Sequence, residues 1–286
     1  MDKIQRLAIE YNLTEHCNLR CANCDHSANM LPKKFATIEQ FKKDLEALSE
    51  VLHVQELKLL GGEPLLHEQV VEFVKLAREI KIADRIVLLT NGTLLKKAPK
   101  ELWKLLDGIW ISLYPGIKYS FDDEYLQRLS DEYNLWIWKK ETPQFVQVLL
   151  NKRNDNPKLV NFIYQMCLDA HTYSCHTVHE GYYYKCAPAA FMKKRLEMLG
   201  VEYSDKMDGV PIHNNPNLKR DLMNYIYSKT PIAACSYCLG SLGKFHECKQ
   251  LKPKEILKAL QESHDNVEEL LNTSYILPSS ITNPSM

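Results

Sequence analysis

The 286-residue sequence has no apolar run approaching the ~18 residues needed to cross a bilayer. It has no excess charge of either sign, with 36 Lys and Arg set against 36 Asp and Glu. The first absence leaves no membrane span to expect, and the second leaves no global attraction to nucleic acid or to an anionic membrane. The amino terminus lacks the apolar stretch of a secretory signal, because the charged Glu10 follows soon after Arg6. These absences lead us to expect a soluble cytoplasmic protein with neither a nucleic-acid nor a membrane partner. Repeats of the solenoid type are absent as well, and no nucleophile–His–Asp set stands out.

What the chain does have is nine cysteines. In a reducing compartment these are not a disulfide framework, so metal ligation is the better reading. They fall into groups at 17/21/24, 167/175/186 and 235/238/248. The stretch Thr14-Glu-His-Cys17-Asn-Leu-Arg-Cys21-Ala-Asn-Cys24 puts three thiols within eight residues, directly after an apolar segment at 7–13. An iron–sulfur cube is usually held by four thiolates; three would leave one iron open to an outside ligand. The alternative is a zinc site completed by His16 or His26.

Strand-like and helix-like segments alternate through the first half. Strands are expected at 7–13, 57–60, 85–90, 109–113, 135–139 and 145–149, with helices from Thr37 (a capping box with Gln40) through 52, at 70–80, after Pro99 and at 122–133. Alternation of this kind argues for a parallel sheet with right-handed crossovers. From residue 151 the pattern changes: a polar stretch ends at Pro157, helices are expected at 188–199 and up to 227, residues 205–216 form a loop, 253–271 are helical, and a Ser/Pro/Thr-rich tail from 273 is disordered. The expected organisation is a barrel at 1–150, a small cysteine-rich domain at 151–252 and a terminal helix and tail at 253–286.

Cys17-x3-Cys21-x2-Cys24 resembles the signature of the radical S-adenosylmethionine (SAM) enzymes, and Gly61-Gly62-Glu63-Pro64 and Thr90-Asn91-Gly92 follow at family-like distances. The resemblance covers most of residues 5–150. It implies an α/β fold, a partial (β/α)6 TIM-type barrel, with the motifs at the carboxyl ends of strands. It further implies a 4Fe-4S cluster on Cys17, Cys21 and Cys24 whose open iron binds SAM, with Gly61, Gly62, Glu63, Asn91 and Ser112 as SAM contacts. Reductive cleavage of SAM to a 5′-deoxyadenosyl radical, and a flavodoxin- or ferredoxin-type electron donor, come with it. The position before the third cysteine, often aromatic in the family, is Asn23 here.

Cys167-x7-Cys175-x10-Cys186, with Gly181 between, and Cys235-x2-Cys238 resemble the Twitch form of the SPASM-type extension, which carries an auxiliary iron–sulfur cluster. Five thiols are offered for four positions. The family spacing favours Cys167, Cys186, Cys235 and Cys238, with Cys175 as competitor, and zinc remains the rival metal. Cys248 reads as a buried or free thiol, His176 and His179 as supporting residues, and Tyr182 to Tyr184 as strand packing. Trp136 and Trp138 read as core or pocket wall. No catalytic side chain is assigned beyond the cluster. The resemblance implies hydrogen-atom abstraction from a small-molecule or sugar-linked substrate, most simply oxidation of a sugar- or aminocyclitol-like molecule. Epimerisation through Cys175 or Cys248, peptide modification, and a non-catalytic iron–sulfur or zinc protein are the alternatives.

Overall fold

The structure is a computed structural model that describes residues 2–262, 266–272 and 274. The chain begins with β1 (Ile4–Thr14), whose apolar residues Ile9, Tyr11 and Leu13 enter the main core. Helix α1 (Ile38–Ser49) starts where Thr37 Oγ1 accepts the Gln40 N–H at 3.1 Å. The expected capping box is only half made, because the Gln40 amide turns to Asp44 Oδ1 at 2.8 Å instead of reaching back. Leu52, expected at the end of this helix, opens β2 (Leu52–Gly61).

The alternation continues through α2 (Val70–Ile80), β3 (Ala83–Thr90), α3 (Lys100–Leu105), β4 (Gly108–Leu113), α4 (Asp123–Tyr133) and β5 (Trp136–Glu141). Asp122 caps α4, and left-handed Asn134 ends it. Phe41, Leu45 and Leu48 of α1 and Phe73 and Val74 of α2 are fully buried against the sheet. Burial of each such side chain contributes roughly 1.5–3 kcal/mol.

The sixth expected strand lies elsewhere. β6 (Gln144–Val146) leaves the sheet and pairs antiparallel with β10 (Phe245–Glu247), a partner almost a hundred residues away. After α5 (Pro157–Gln165) and α6 (Leu168–His171), the short β7 (Thr177–His179) takes a place beside β1, in parallel. It is followed antiparallel by β8 (Tyr182–Tyr184) and, after α7 (Ala187–Met198), by β9 (Gly209–Pro211). One eight-stranded sheet results, ordered β5-β4-β3-β2-β1-β7-β8-β9, parallel from β5 to β7. Its order fits the partial barrel expected.

Helix α8 (Leu218–Ile226) covers β9, and α9 (Pro253–Gln261) follows β10. The helix expected over 253–271 stops at Gln261, and residues 268–270 form a single 3₁₀ turn. The expected disordered tail falls outside the described residues apart from Ser274. Trp136 and Trp138 are 53% and 40% exposed, so they are not core; Trp138 packs on Trp110 with ring centroids 4.0 Å apart. Among the described residues no helix is long and apolar enough to cross a membrane.

Candidate metal centres

The loop after β1 carries Cys17, Cys21 and Cys24. It is held by the end of β2, where the two glycines are required by the chain itself. A Cβ on Gly61 would lie 2.2 Å from the Thr14 carbonyl oxygen, and one on Gly62 would lie 2.0 Å from that of His16. Only bare backbone fits against the loop here. The neighbouring Glu63 is fully buried. Its carboxyl accepts from Thr90 Oγ1 at 2.7 Å, from the Asn91 N–H at 2.8 Å and from the Leu65 N–H at 3.0 Å. Burial pushes it up to about 7 against the pull of these donors. Glu63 thereby ties the ends of β2 and β3 together, with one lone pair of Oε2 left for a ligand.

Asn91 turns to the thiol loop: its Nδ2 donates to Asn18 Oδ1 at 2.8 Å and to Cys17 Sγ at 3.5 Å. The Leu19 N–H also donates to Cys17 Sγ, at 3.3 Å, and Gln250 Nε2 reaches Cys21 Sγ at 3.0 Å from far along the chain. Asn23 sits in the left-handed region at φ 60°, a conformation that asparagine tolerates better than most residues. Its role in the loop is therefore one of backbone shape. Ser112 is the penultimate residue of β4, and its side chain bonds to that of Tyr114. Cys248 is 8% exposed and lies against the Cys21 thiol.

The second thiol set is assembled from three separate segments. Cys167 precedes α6, Cys186 caps α7, and Cys235 and Cys238 lie on a 3₁₀ turn and its end. Burial raises the pKa of each of the four, and the charges of the others raise Cys186, Cys235 and Cys238 further, which marks them as close neighbours. Gly240 completes the cradle. At φ +51° its backbone passes so close to Cys167 that an added Cβ would meet Sγ at 3.2 Å, while its N–H donates to Cys238 Sγ at 3.2 Å.

Cys175 shows a different set of influences from these four. Burial raises its pKa, and next in effect come the charges of Glu10 and Asp169, with no other cysteine among its main influences. The spacing left Cys175 as a competing ligand because sequence distance says nothing about the turn at Ser174, which points the chain from α6 to β7. His176 and Tyr183 lie behind it, joined Nδ1 to hydroxyl at 2.6 Å. His179 faces Glu15 at 3.3 Å.

Both thiol sets fit a multinuclear cluster better than one ion. A zinc ion with ligands at 2.3 Å would draw its sulfurs to about 3.8 Å apart. Among the described residues the only His, Cys, Asp or Glu group with ligand atoms all within 4.8 Å is Glu15, His179 and Glu180, where the Lys34 ammonium already bridges the two carboxylates. The thiol sets are wider, and N–H donors aimed at sulfur are the kind of contact that tunes iron–sulfur centres.

Sequence reasoning missed Asn18 and Gln250, for which no local pattern exists, and Glu10 and Asn12. The last two could have been found: Ala8, Glu10, Asn12 and Thr14 alternate with Ile9, Tyr11 and Leu13 along β1, giving the strand a polar face.

Residues 11–140 match the model of the Radical SAM superfamily. The GTP 3',8-cyclase of Clostridium perfringens (strain SM101 / Type A) is 34% identical over 97 residues, covering 33% of this chain and 30% of that protein. That of Aquifex aeolicus is 34% identical over 108 residues, covering 36% and 33%. The match thus spans only about a third of these curated relatives' length. The crystal structure of BtrN in complex with AdoMet and 2-DOIA overlaps with a TM-score of 0.52 at 21% identity, covering 83% of this chain and 94% of that one, a likeness of fold. The family implies a 4Fe-4S cluster and SAM. The thiol loop and the strand-end motifs lie inside the matched residues, so residues 11–140 carry the features of a radical SAM domain.

Proposed function

We propose that the chain is a radical SAM enzyme that oxidises a sugar- or aminocyclitol-like small molecule, using a second iron–sulfur cluster held by Cys167, Cys186, Cys235 and Cys238. The observation that carries this reading is the convergence of those four half-buried cysteines in one cradle, with Cys175 under different influences. When bound, the first cluster and SAM supply a radical that removes a hydrogen atom from substrate, and the second supplies an acceptor for the electron left behind.

The chain's own part is to hold and enclose. Cys17, Cys21 and Cys24 would carry the first cluster, with Asn91, Gln250 and the Leu19 N–H donating to the cysteine sulfurs. The remaining lone pair of Glu63 would accept from the SAM amino group. Register aligns Glu10 with Lys58 and Thr177, and Asn12 with Leu60, on the side of the sheet opposite the helix-packed core. That concave side would receive substrate and keep water from the radical.

A GTP-like substrate, suggested by the cyclases, is less well supported. Glu10, Asp25 and Asp169 act on one another as neighbouring charges, and a triphosphate would be repelled by them. Epimerisation has one observation in its favour: Cys175 is a half-buried thiol whose main influences are carboxylates and not the other cysteines.

The test is anaerobic assay of iron, sulfide, 5′-deoxyadenosine and substrate oxidation in wild type and Cys238→Ala. The variant should still cleave SAM but lose two-electron oxidation of substrate. Undiminished oxidation in Cys238→Ala would overturn the role of the second site, and the absence of SAM cleavage in iron-replete wild type would overturn the activity altogether.

A further inference from the structure

Glu10 and Asn12 lie two residues apart on the polar face of β1, and both are buried, at 5% and 4% exposure. The Asn12 amide is unsatisfied by the protein, and the Glu10 carboxylate is met only by the neutral donors Thr177 and Cys175. Among the described residues the Glu10 carboxylate has no ion-pair partner; Thr177 Oγ1 approaches its Oε2 at 3.4 Å, and the charges of His26 and Lys58 lie nearby. His26 is already bonded to Asp25 at 3.0 Å, and Lys58 Nζ stands 5.9 Å above the Trp110 ring centroid. Asp25 and Asp169 are also close, so the two nearby cations are matched by two other carboxylates and none is left over for Glu10.

Asn12 supplies an independent sign of a missing ligand. Neither its amide nitrogen nor its amide oxygen has a hydrogen-bond partner. Buried polar groups are almost always paired, and an amide offers both a donor and an acceptor, which suits a hydroxyl group. A carboxylate short of cations beside it suits an ammonium.

Resting on the reading of the chain as a radical SAM enzyme acting on a small polyol, we infer that the concave face of β1 selects an amino-bearing, unphosphorylated substrate. Glu10 holds the ammonium, and the Asn12 amide holds a hydroxyl on the same molecule. Glu10 and Asn12 are binding residues in this assignment. A phosphate on the substrate would face Glu10, Asp25 and Asp169 together and be rejected.

The test is calorimetric binding to the full chain, reconstituted anaerobically with iron, sulfide and SAM. The probes are glucosamine against glucose, inosamine against inositol, and glucose 6-phosphate. Wild type should prefer each amino compound by roughly tenfold or more, the range of a charge-assisted hydrogen bond. Glucose 6-phosphate should bind worst. Glu10→Gln should lose the amino preference, Glu10→Asp should keep part of it, and Asn12→Leu should weaken all polyols while leaving the preference in place. No preference in wild type, including no binding of any probe, or tighter binding of the phosphate, overturns the assignment, as does an intact preference in Glu10→Gln. Formation of 5′-deoxyadenosine by the same preparation separates the two levels. Cleavage of SAM with the wrong selectivity sinks this inference alone, whereas no cleavage sinks the reading beneath it.

Discussion

Cys17, Cys21 and Cys24 belong to one loop of eight residues, whereas Cys167, Cys186, Cys235 and Cys238 come from three segments spread over more than seventy. The first loop rests on two adjacent parallel strands, with the ends of β1 and β2 in backbone contact through Gly61 and Gly62. The second cradle draws on the short antiparallel β8, which ends two residues before Cys186, and on a single bridge between Leu149 and Cys238. It forms where the end of α5, the start of α7 and the 3₁₀ turns near 235 and 240 come together. Local sites carry little loop-closure entropy, while dispersed ones carry more and depend more on what they bind. The contrast teaches that a bound metal should matter to the folding of the second half far more than to that of the first.

The sharpest way to break this comparison is to empty one site at a time. A Cys17/Cys21/Cys24 triple alanine variant should lose about half of roughly eight irons and all SAM cleavage, yet keep its denaturation midpoint nearly unchanged. A Cys167/Cys186/Cys235/Cys238 alanine variant should lose the other half and several kcal/mol of stability. Iron analysis with urea titration reads both. Equal loss of stability in the two variants would erase the distinction.

Gly240→Ala probes the second cradle without touching a thiol. The left-handed backbone alone should cost about 1–2 kcal/mol in a residue with a side chain, and the new methyl would press on Cys167. Second-site iron should fall while SAM cleavage persists. Unchanged iron would remove Gly240 from the cradle.

His176 offers a test by pH. Burial drives its pKa down to about 3, so the folded protein keeps it neutral while the unfolded chain protonates below about 6.5. Its contribution is complete above pH 6.5 and is lost as pH falls towards 3. At pH 5 the loss is about 2 kcal/mol relative to pH 7. Denaturation of His176→Gln at the two pH values should show a slope shallower by that amount.

The smallest expected effect is that of Cys175→Ser on metal content, which should be none, against about half of the iron lost in Cys186→Ser. A loss of iron in Cys175→Ser would return Cys175 to the ligand set.

The strands and helices up to Glu141 were legible because each carries its own period and stop: Thr37 and Asp122 cap, Gly61 and Gly92 break. Residues 144–146 were misplaced because their pairing with Phe245, His246 and Glu247 is non-local, and no period in a short apolar run reveals its partner. The first thiol loop stood out by its spacing, and the resemblance to a known signature supplied its reading. Spacing could not rank the five later thiols, since Glu10, one of the two carboxylates that act most on Cys175, comes from a distant part of the chain. Reading β1 only for its apolar residues hid Glu10 and Asn12, although their alternation was in plain sight.

The sheet stays open at β5, whose final residues Lys139, Lys140 and Glu141 are all exposed. An edge strand with unpaired backbone groups is a template on which another chain can add a strand. Charges of both signs along this edge make such an addition unfavourable unless the incoming strand complements them. The incomplete barrel can therefore leave its side accessible without inviting edge-to-edge polymerisation.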